Sequence, residues 1–219
     1  MPELEAPIVV ETRPDCDATV IWLHGLGADG NDFVPLIPEL RLPEGLGIRF
    51  VFPHAPMRPV TINGGMVMRA WFDMGLGASG LSEVEDDLRA SVSVVSQLVQ
   101  GEVGRAIDPM RIVVAGFSQG GLMALYSALH MPVQLAGVIA LSSWLPEDAS
   151  LPKLSYPLPV FFGHGTEDPV IPMARGEAAR QRMGELGARI ESHTYPMGHG
   201  VCPEEIADIS RWLNLRLRA

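Results

Sequence analysis

The run Val113-Val114-Ala115-Gly116-Phe117-Ser118-Gln119-Gly120-Gly121-Leu122-Met123-Ala124 constrains the fold more than any other stretch of the chain. A β-branched apolar segment enters Gly-x-Ser-x-Gly, and a helical apolar pattern begins directly behind it. Strand, sharp turn and helix must follow one another without a loop. Such a turn strains the backbone, and side chains beside the serine would hold strand and helix apart. Glycine is therefore the residue type that suits its flanks. Ser118 then projects at the head of the helix, where free N–H groups and the helix dipole favour a developing oxyanion. The pattern makes Ser118 a candidate nucleophile. The plainer alternative is a glycine turn with an incidental serine.

Strand-like and helical runs alternate on both sides of this turn. Thr19–Leu23, Arg49–Phe52, Arg111–Ala115, Leu135–Leu141 and Val160–Phe162 read as short, nearly continuous apolar strands, as parallel strands covered on both faces do. Arg189–Tyr195 is more polar and suits a place near an edge. Ser82-Glu83-Val84-Glu85 forms a capping box, followed by the stripe Val84, Leu88, Val92, Val95 and Val99 and by Gly101 and Gly104 as stops. Gln119–His130, Met173–Leu186 and Pro203–Leu217 complete the helices, the last with Pro203 at its start and Glu204 and Glu205 in its first turn. Alternating βαβ elements predict an α/β fold with a doubly wound, mostly parallel central sheet and helices on both faces. No repeat or linker divides the chain, so one domain over 1–219 is expected. Two irregular segments, Pro53–Leu81 and Ser142–Pro159, should lie where the strands' carboxyl ends place a site. The second is too short for a helical cap domain.

A formal net charge of -10 speaks against nucleic acid as a partner, because phosphate binding needs clustered Lys and Arg. The two cysteines, Cys16 and Cys202, form neither a disulfide framework nor a metal pattern. Cys202, at the head of the last helix, reads as an oxidisable thiol or, more plainly, as a small buried hydrophobe. No apolar stretch approaches the ~18 residues of a membrane span. The acidic Met1-Pro2-Glu3-Leu4-Glu5 start does not look like a signal peptide. A cytoplasmic location without membrane insertion is the expectation, and a homodimer is left open.

A serine hydroxyl needs a base, and the base an orienting carboxylate. In the strand–elbow–helix arrangement the chain order is Ser, then acid, then His. Of the six histidines, His199 in Met197-Gly198-His199-Gly200 follows the last strand on a glycine-flanked loop and is the expected base. His193 lies within a strand, His130 ends the elbow helix, and His54 and His164 close strands where they could pack under the site. The loop after Val160–Phe162 offers Asp168 as first choice of acid and Glu167 as second. Glu147 and Asp148 are poorer candidates. Two N–H groups should stabilise the oxyanion, one from Gln119, the residue after the nucleophile, and one from the glycine-rich His24-Gly25-Leu26-Gly27 loop, with Leu26 as donor. No cofactor is called for, and no metal-ligand spacing such as H-E-x-x-H occurs.

Together these blocks resemble the carboxylesterase/acyl-protein thioesterase family, also called the phospholipase/carboxylesterase family. They are His24-Gly25-Leu26-Gly27, Pro53-His54-Ala55-Pro56, Trp71-Phe72-Asp73, Gly116-Phe117-Ser118-Gln119-Gly120-Gly121, His164-Gly165-Thr166-Glu167-Asp168-Pro169-Val170-Ile171-Pro172 and Gly198-His199-Gly200. The likeness runs from about Thr19 to the last helix. It implies an α/β-hydrolase fold without a cap domain, a triad of Ser118, Asp168 and His199, and cleavage of small-molecule acyl esters or thioesters. It also implies that Trp71, Phe72, Val170 and Ile171 line the acyl side. Ala28-Asp29-Gly30 stands where eukaryotic thioesterases of the family commonly carry Asp-Thr-Gly, and in this the chain is closer to bacterial carboxylesterases. Two further readings stay open: a dienelactone-hydrolase-like activity on cyclic substrates, and a non-catalytic binding protein on the same fold. Loop Pro53–Leu81, with Met57, Met66, Met68 and Met74 beside Trp71 and Phe72, is expected to wall an open, tolerant groove.

Overall fold

The apolar runs become neighbours in one seven-stranded sheet. In the computed structural model, which describes residues 5–75, 85–146 and 150–218, its strands are β1 (Ile8–Glu11), β2 (Ala18–Leu23), β3 (Ile48–Phe52), β6 (Ile112–Phe117), β7 (Gly137–Leu141), β8 (Pro159–Gly165) and β9 (Arg189–Tyr195). A separate two-stranded hairpin pairs β4 (Met57–Val60) with β5 (Met66–Arg69). The sheet order is β1-β3-β2-β6-β7-β8-β9. Every pair is parallel except β1 with β3. The polar β9 takes an edge, as its composition suggests.

Both faces of the central strands are buried, which explains their unbroken apolar sequences. Alternate residues feed opposite layers. Ile21, Leu23, Val114, Val138 and Val160 join one core, and Val20, Trp22, Val113, Ile139 and Phe161 join the other. Helices α2 (Glu85–Gly104), α3 (Gln119–His130) and α4 (Met173–Glu185) cover the first layer. The short α1 (Leu36–Glu39) and α5 (Pro203–Leu217) cover the second, where Ile209, Trp212, Leu213 and Leu217 are buried. In α2, Leu88, Val95 and Val99 face inward and Val92 is half-buried, following the expected stripe. Val84 and the rest of the capping box before Glu85 lie outside the described residues.

Two elements appear where the sequence suggests irregular chain. β1 is a four-residue edge strand with alternate residues exposed. The β4–β5 hairpin lies inside Pro53–Leu81. Pro59 within β4 is tolerated because a two-stranded ribbon is all edge. Gly64 and Gly65, at φ 67° and 80°, close its turn. Among the described residues no helix interrupts 142–158, so nothing there forms a cap. This is the α/β-hydrolase arrangement, and it carries the ends of β2, β6 and β8 to one edge of the sheet.

Candidate active site

Ser118 joins β6 to α3 with φ 54° and ψ -118°, a backbone conformation that a non-glycine residue adopts only under strain. The flanking glycines have a measurable reason. A Cβ on Gly116 would stand 2.1 Å from the Gly120 carbonyl oxygen, and one on Gly120 would stand 2.2 Å from the Leu23 carbonyl oxygen. Strand, helix and the end of β2 approach so closely that no side chain fits between them. Ser118 is 8% exposed. Its carbonyl accepts a hydrogen bond from Ser143 Oγ at 2.9 Å, which ties the strained turn to the loop after β7.

The two expected oxyanion donors are held by one buried network. His24 Nε2 accepts from the Ala55 amide at 3.0 Å, so the ring proton must sit on Nδ1, which donates to the Gly25 carbonyl at 2.7 Å. The Gly25 carbonyl and the Leu26 N–H belong to one trans peptide and point in opposite directions. Fixing the carbonyl therefore aims the Leu26 N–H. The Trp71 indole Nε1 donates to the His24 carbonyl at 2.9 Å, and the Trp71 amide donates to Gln119 Oε1 at 2.9 Å. Gln119 Nε2 donates to the Phe72 carbonyl at 2.8 Å. Ser91 Oγ donates to the Trp71 carbonyl. The hairpin joins the frame through Gly27, whose amide donates to the Arg69 carbonyl at 2.9 Å. Burial above all lowers the His24 pKa to about 4 and keeps the ring neutral at ordinary pH.

On the other flank, Asp168 and His199 meet as the sequence suggests. His199 Nδ1 lies 2.7 Å from Asp168 Oδ2. Asp168 Oδ1 accepts from the Val170 and Ile171 amides at 2.8 and 2.9 Å. Burial opposes ionisation of Asp168, but the His199 hydrogen bond and those two amides outweigh it, and its pKa falls below the ordinary value. The His199 ring packs on Phe117, the residue before Ser118, with centroids 4.7 Å apart. The second-choice acid, Glu167, is exposed, and among the described residues its carboxylate makes no hydrogen bond to the site. Glu147 and Asp148 lie outside the described residues. His193 bonds Glu191 and stacks on Phe161, and His130 bonds the Tyr126 carbonyl, so both belong to other parts of the molecule. His164 and His54 pack beneath the site. His164 Nε2 donates to the Ile171 carbonyl at 2.9 Å, and His54 Nδ1 accepts from the Gly30 amide at 3.1 Å.

The expected acyl wall needs correction. Trp71 is 0% exposed, Phe72 5% and Ile171 3%, and all three belong to the core beneath α2, α3 and α4. The reason is that Ala70-Trp71-Phe72 turns inward after β5, where the indole N–H finds the His24 carbonyl. Val170 does stand at the surface, but what it and Ile171 give the site is their two amides. Sequence reasoning missed the brace because its bonds run mostly to backbone carbonyls, which no motif records. Cys202, at the N-cap of α5, is not activated, since burial raises its thiol pKa against the amide hydrogen bonds of Glu205 and Glu204.

One buried carboxyl lies next to the His199 loop. Glu205, in the first turn of α5, is 0% exposed, and neither carboxyl oxygen has a hydrogen-bond partner among the described residues. Burial first, and Asp208 second, push its pKa up to about 8. Among the described residues no group of His, Cys, Asp and Glu is placed to hold a metal ion, and no helix is long and apolar enough to cross a membrane.

The model of the phospholipase/carboxylesterase family matches residues 4–217. An acyl-protein thioesterase 1 of Neurospora crassa is 37% identical over 224 residues, covering 96% of this chain and 91% of that protein. One from Mycosarcoma maydis is 39% identical over 90% of each. The crystal structure of Arabidopsis thaliana SOBER1 superposes with a TM-score of 0.83 at 31% identity, covering 92% of this chain and 99% of that one. Zea mays acyl-protein thioesterase 2 gives 0.75 at 28%, covering 96% and 99%.

Proposed function

Because this chain belongs to the phospholipase/carboxylesterase family and is therefore a serine hydrolase of ester and thioester bonds, we infer that Ser118, Asp168 and His199 are its triad. Leu26 and Gln119 are its oxyanion donors. The observation that carries the assignment is the 2.7 Å contact of His199 Nδ1 with a carboxylate fixed by two amides. That contact puts the ring proton on Nδ1 and leaves Nε2 with a free lone pair. Ser118 Oγ attacks the acyl carbon as its proton passes to His199 Nε2. The carbonyl oxygen becomes an oxyanion held by the Leu26 and Gln119 N–H groups, whose direction is set before substrate arrives. The tetrahedral species collapses and His199 protonates the departing alcohol or thiol. Water then attacks the acyl-serine by the same route in reverse.

The acyl chain lies against the hairpin side: the hairpin meets the oxyanion loop through the Arg69 carbonyl on the Gly27 amide, and Met57, Met66 and Val67 are exposed along it. Each methylene it buries adds about 0.8 kcal/mol of binding until the surface ends. The acyl-protein thioesterase activity that gives the relatives their names extends to this chain as part of the same proposal. We read residues 1–219 as one domain acting in the cytoplasm. All the residues named come from one chain, so the reading does not call for a homodimer. A fluorophosphonate should label Ser118, and Ser118→Ala should abolish labelling and lower kcat by about four to six orders of magnitude without unfolding the protein. Mass-spectrometric mapping of the adduct to any other serine would overturn the assignment.

A further inference from the structure

A cleft of about 360 Å³ opens on the His199 side of the site, lined among others by Asp32, Phe33, Leu36, Glu39, Phe117 and His199. It touches the proposed base but not Ser118, Leu26 or Gln119. This asymmetry gives it a place in the reaction. The departing oxygen or sulfur takes its proton from His199, so whatever is bonded to that atom extends toward His199 and away from the oxyanion donors. The cleft is where a leaving group would lie.

Its lining is selective in charge. Phe33 and Phe117 form an aromatic floor, ring centroids 5.7 Å apart, and Phe117 continues to the His199 ring at 4.7 Å. At the rim stand Asp32 and Glu39, both exposed, and among the described residues neither has an ion-pair partner. No lysine or arginine lines the cleft. Although its side chain reaches solvent, Asp32 loses part of its hydration at the cleft, and this first, and the Asp29 charge second, raise its pKa. Aromatic faces with carboxylates above them attract a cation and repel an anion.

Resting on the triad assignment, we propose that this cleft is a leaving-group subsite that favours acyl esters and thioesters whose alcohol or thiol carries a positive charge. It disfavours those carrying a negative one. A quaternary or protonated amine two to three bonds from the scissile oxygen would lie over Phe33 and Phe117 and near Asp32 and Glu39.

The test is a matched set of butyrate esters of the same size: butyrylcholine, its uncharged isostere 3,3-dimethylbutyl butyrate, and an anionic sulfonate counterpart. For the unmodified protein kcat/KM should fall in that order, the cation exceeding the isostere by about 3- to 10-fold at low salt. The ratio should shrink toward one at about 0.5 M salt and in the double variant Asp32→Asn, Glu39→Gln. Equal rates for the three esters, or a cation preference unmoved by salt and by the double variant, would overturn the subsite while leaving the triad standing. Failure to cleave any of the three, or undiminished cleavage by Ser118→Ala, would overturn the triad reading itself.

Discussion

The two flanks of the site are supported in opposite ways. On the oxyanion flank, His24, Trp71 and Gln119 are buried and spend their polar side-chain atoms on backbone groups or on each other. On the histidine flank, Asp168 is as fully bonded, but the helix that follows His199 carries Glu205 in its first turn, buried and, among the described residues, without a hydrogen-bond partner, and the surface opens into an acidic cleft. On the proposed assignment of the site, the difference follows from what each flank would have to do. An oxyanion forms at one fixed point, so its donors gain from being set rigidly in advance. Leaving groups differ in shape and charge, so the surface that meets them can stay open.

The sharpest way to break this picture is at the carboxylate. Asp168→Asn should lower kcat about 10³- to 10⁴-fold by letting His199 take the wrong tautomer, while Glu167→Gln should barely change it. Steady-state kinetics on a chromogenic butyrate ester would decide, and the reverse ranking would move the acid to Glu167. A smaller effect tests the oxyanion flank. Trp71→Phe keeps a ring in the core but leaves the His24 carbonyl without its donor, at a cost of about 1–3 kcal/mol in stability. If the brace aims Leu26, kcat should drop about tenfold with KM nearly unchanged. Lost stability with unchanged kcat would reduce the brace to a packing element.

The histidine flank gives a pH signature instead of a rate. With its pKa at about 8 in the folded chain against 4.5 as the ordinary value, Glu205 holds its proton when folded and loses it when unfolded between those limits. The unfolded state binds fewer protons there, so stability should fall as pH rises through this window, by at most about 1.4 kcal/mol per pH unit for this one group. Glu205→Gln should flatten the slope and raise the melting temperature on the alkaline side. Melting curves at about pH 5 to 9 would show it, and an unchanged slope would mean that Glu205 finds a partner. The smallest effects are expected where neither flank is touched: His193→Ala and treatment with a chelator should both leave the esterase rate close to that of the untreated protein.

How much of this could be read from sequence depended on what kind of bond was involved. The elbow was legible because Gly116 and Gly120 answer a steric demand that leaves a trace in the sequence itself. Helices Gln119–His130 and Pro203–Leu217 and strand Arg189–Tyr195 fall at their expected limits, since the elbow glycines, Pro203 at a helix start and Gly187 and Gly198 around the strand are local signals. The hairpin did not announce itself. Its strands are four residues long and contain Pro59, Arg58 and several methionines instead of a β-branched alternation. Trp71 was legible as important but not as what it is. An aromatic residue on a loop near a site suggests a pocket wall, and only the fold shows its N–H turned inward to a carbonyl. Glu205 read as a favourable charge at a helix start, because burial by a neighbouring strand is invisible from its own helix.

The hydrogen bond from the Trp71 indole to the His24 carbonyl also makes the site observable without a substrate. An indole's emission depends on its solvent exposure and on the partner of its N–H. Trp71 is sealed from water and bonded to the peptide that precedes the oxyanion loop. Trp22, Trp144 and Trp212 are the chain's other tryptophans. With each replaced by phenylalanine, the fluorescence of the single remaining indole becomes a gauge of that loop alone. A red shift on binding an ester analogue, on mild heating or on crowding by a bound partner would then record the loop loosening in real time.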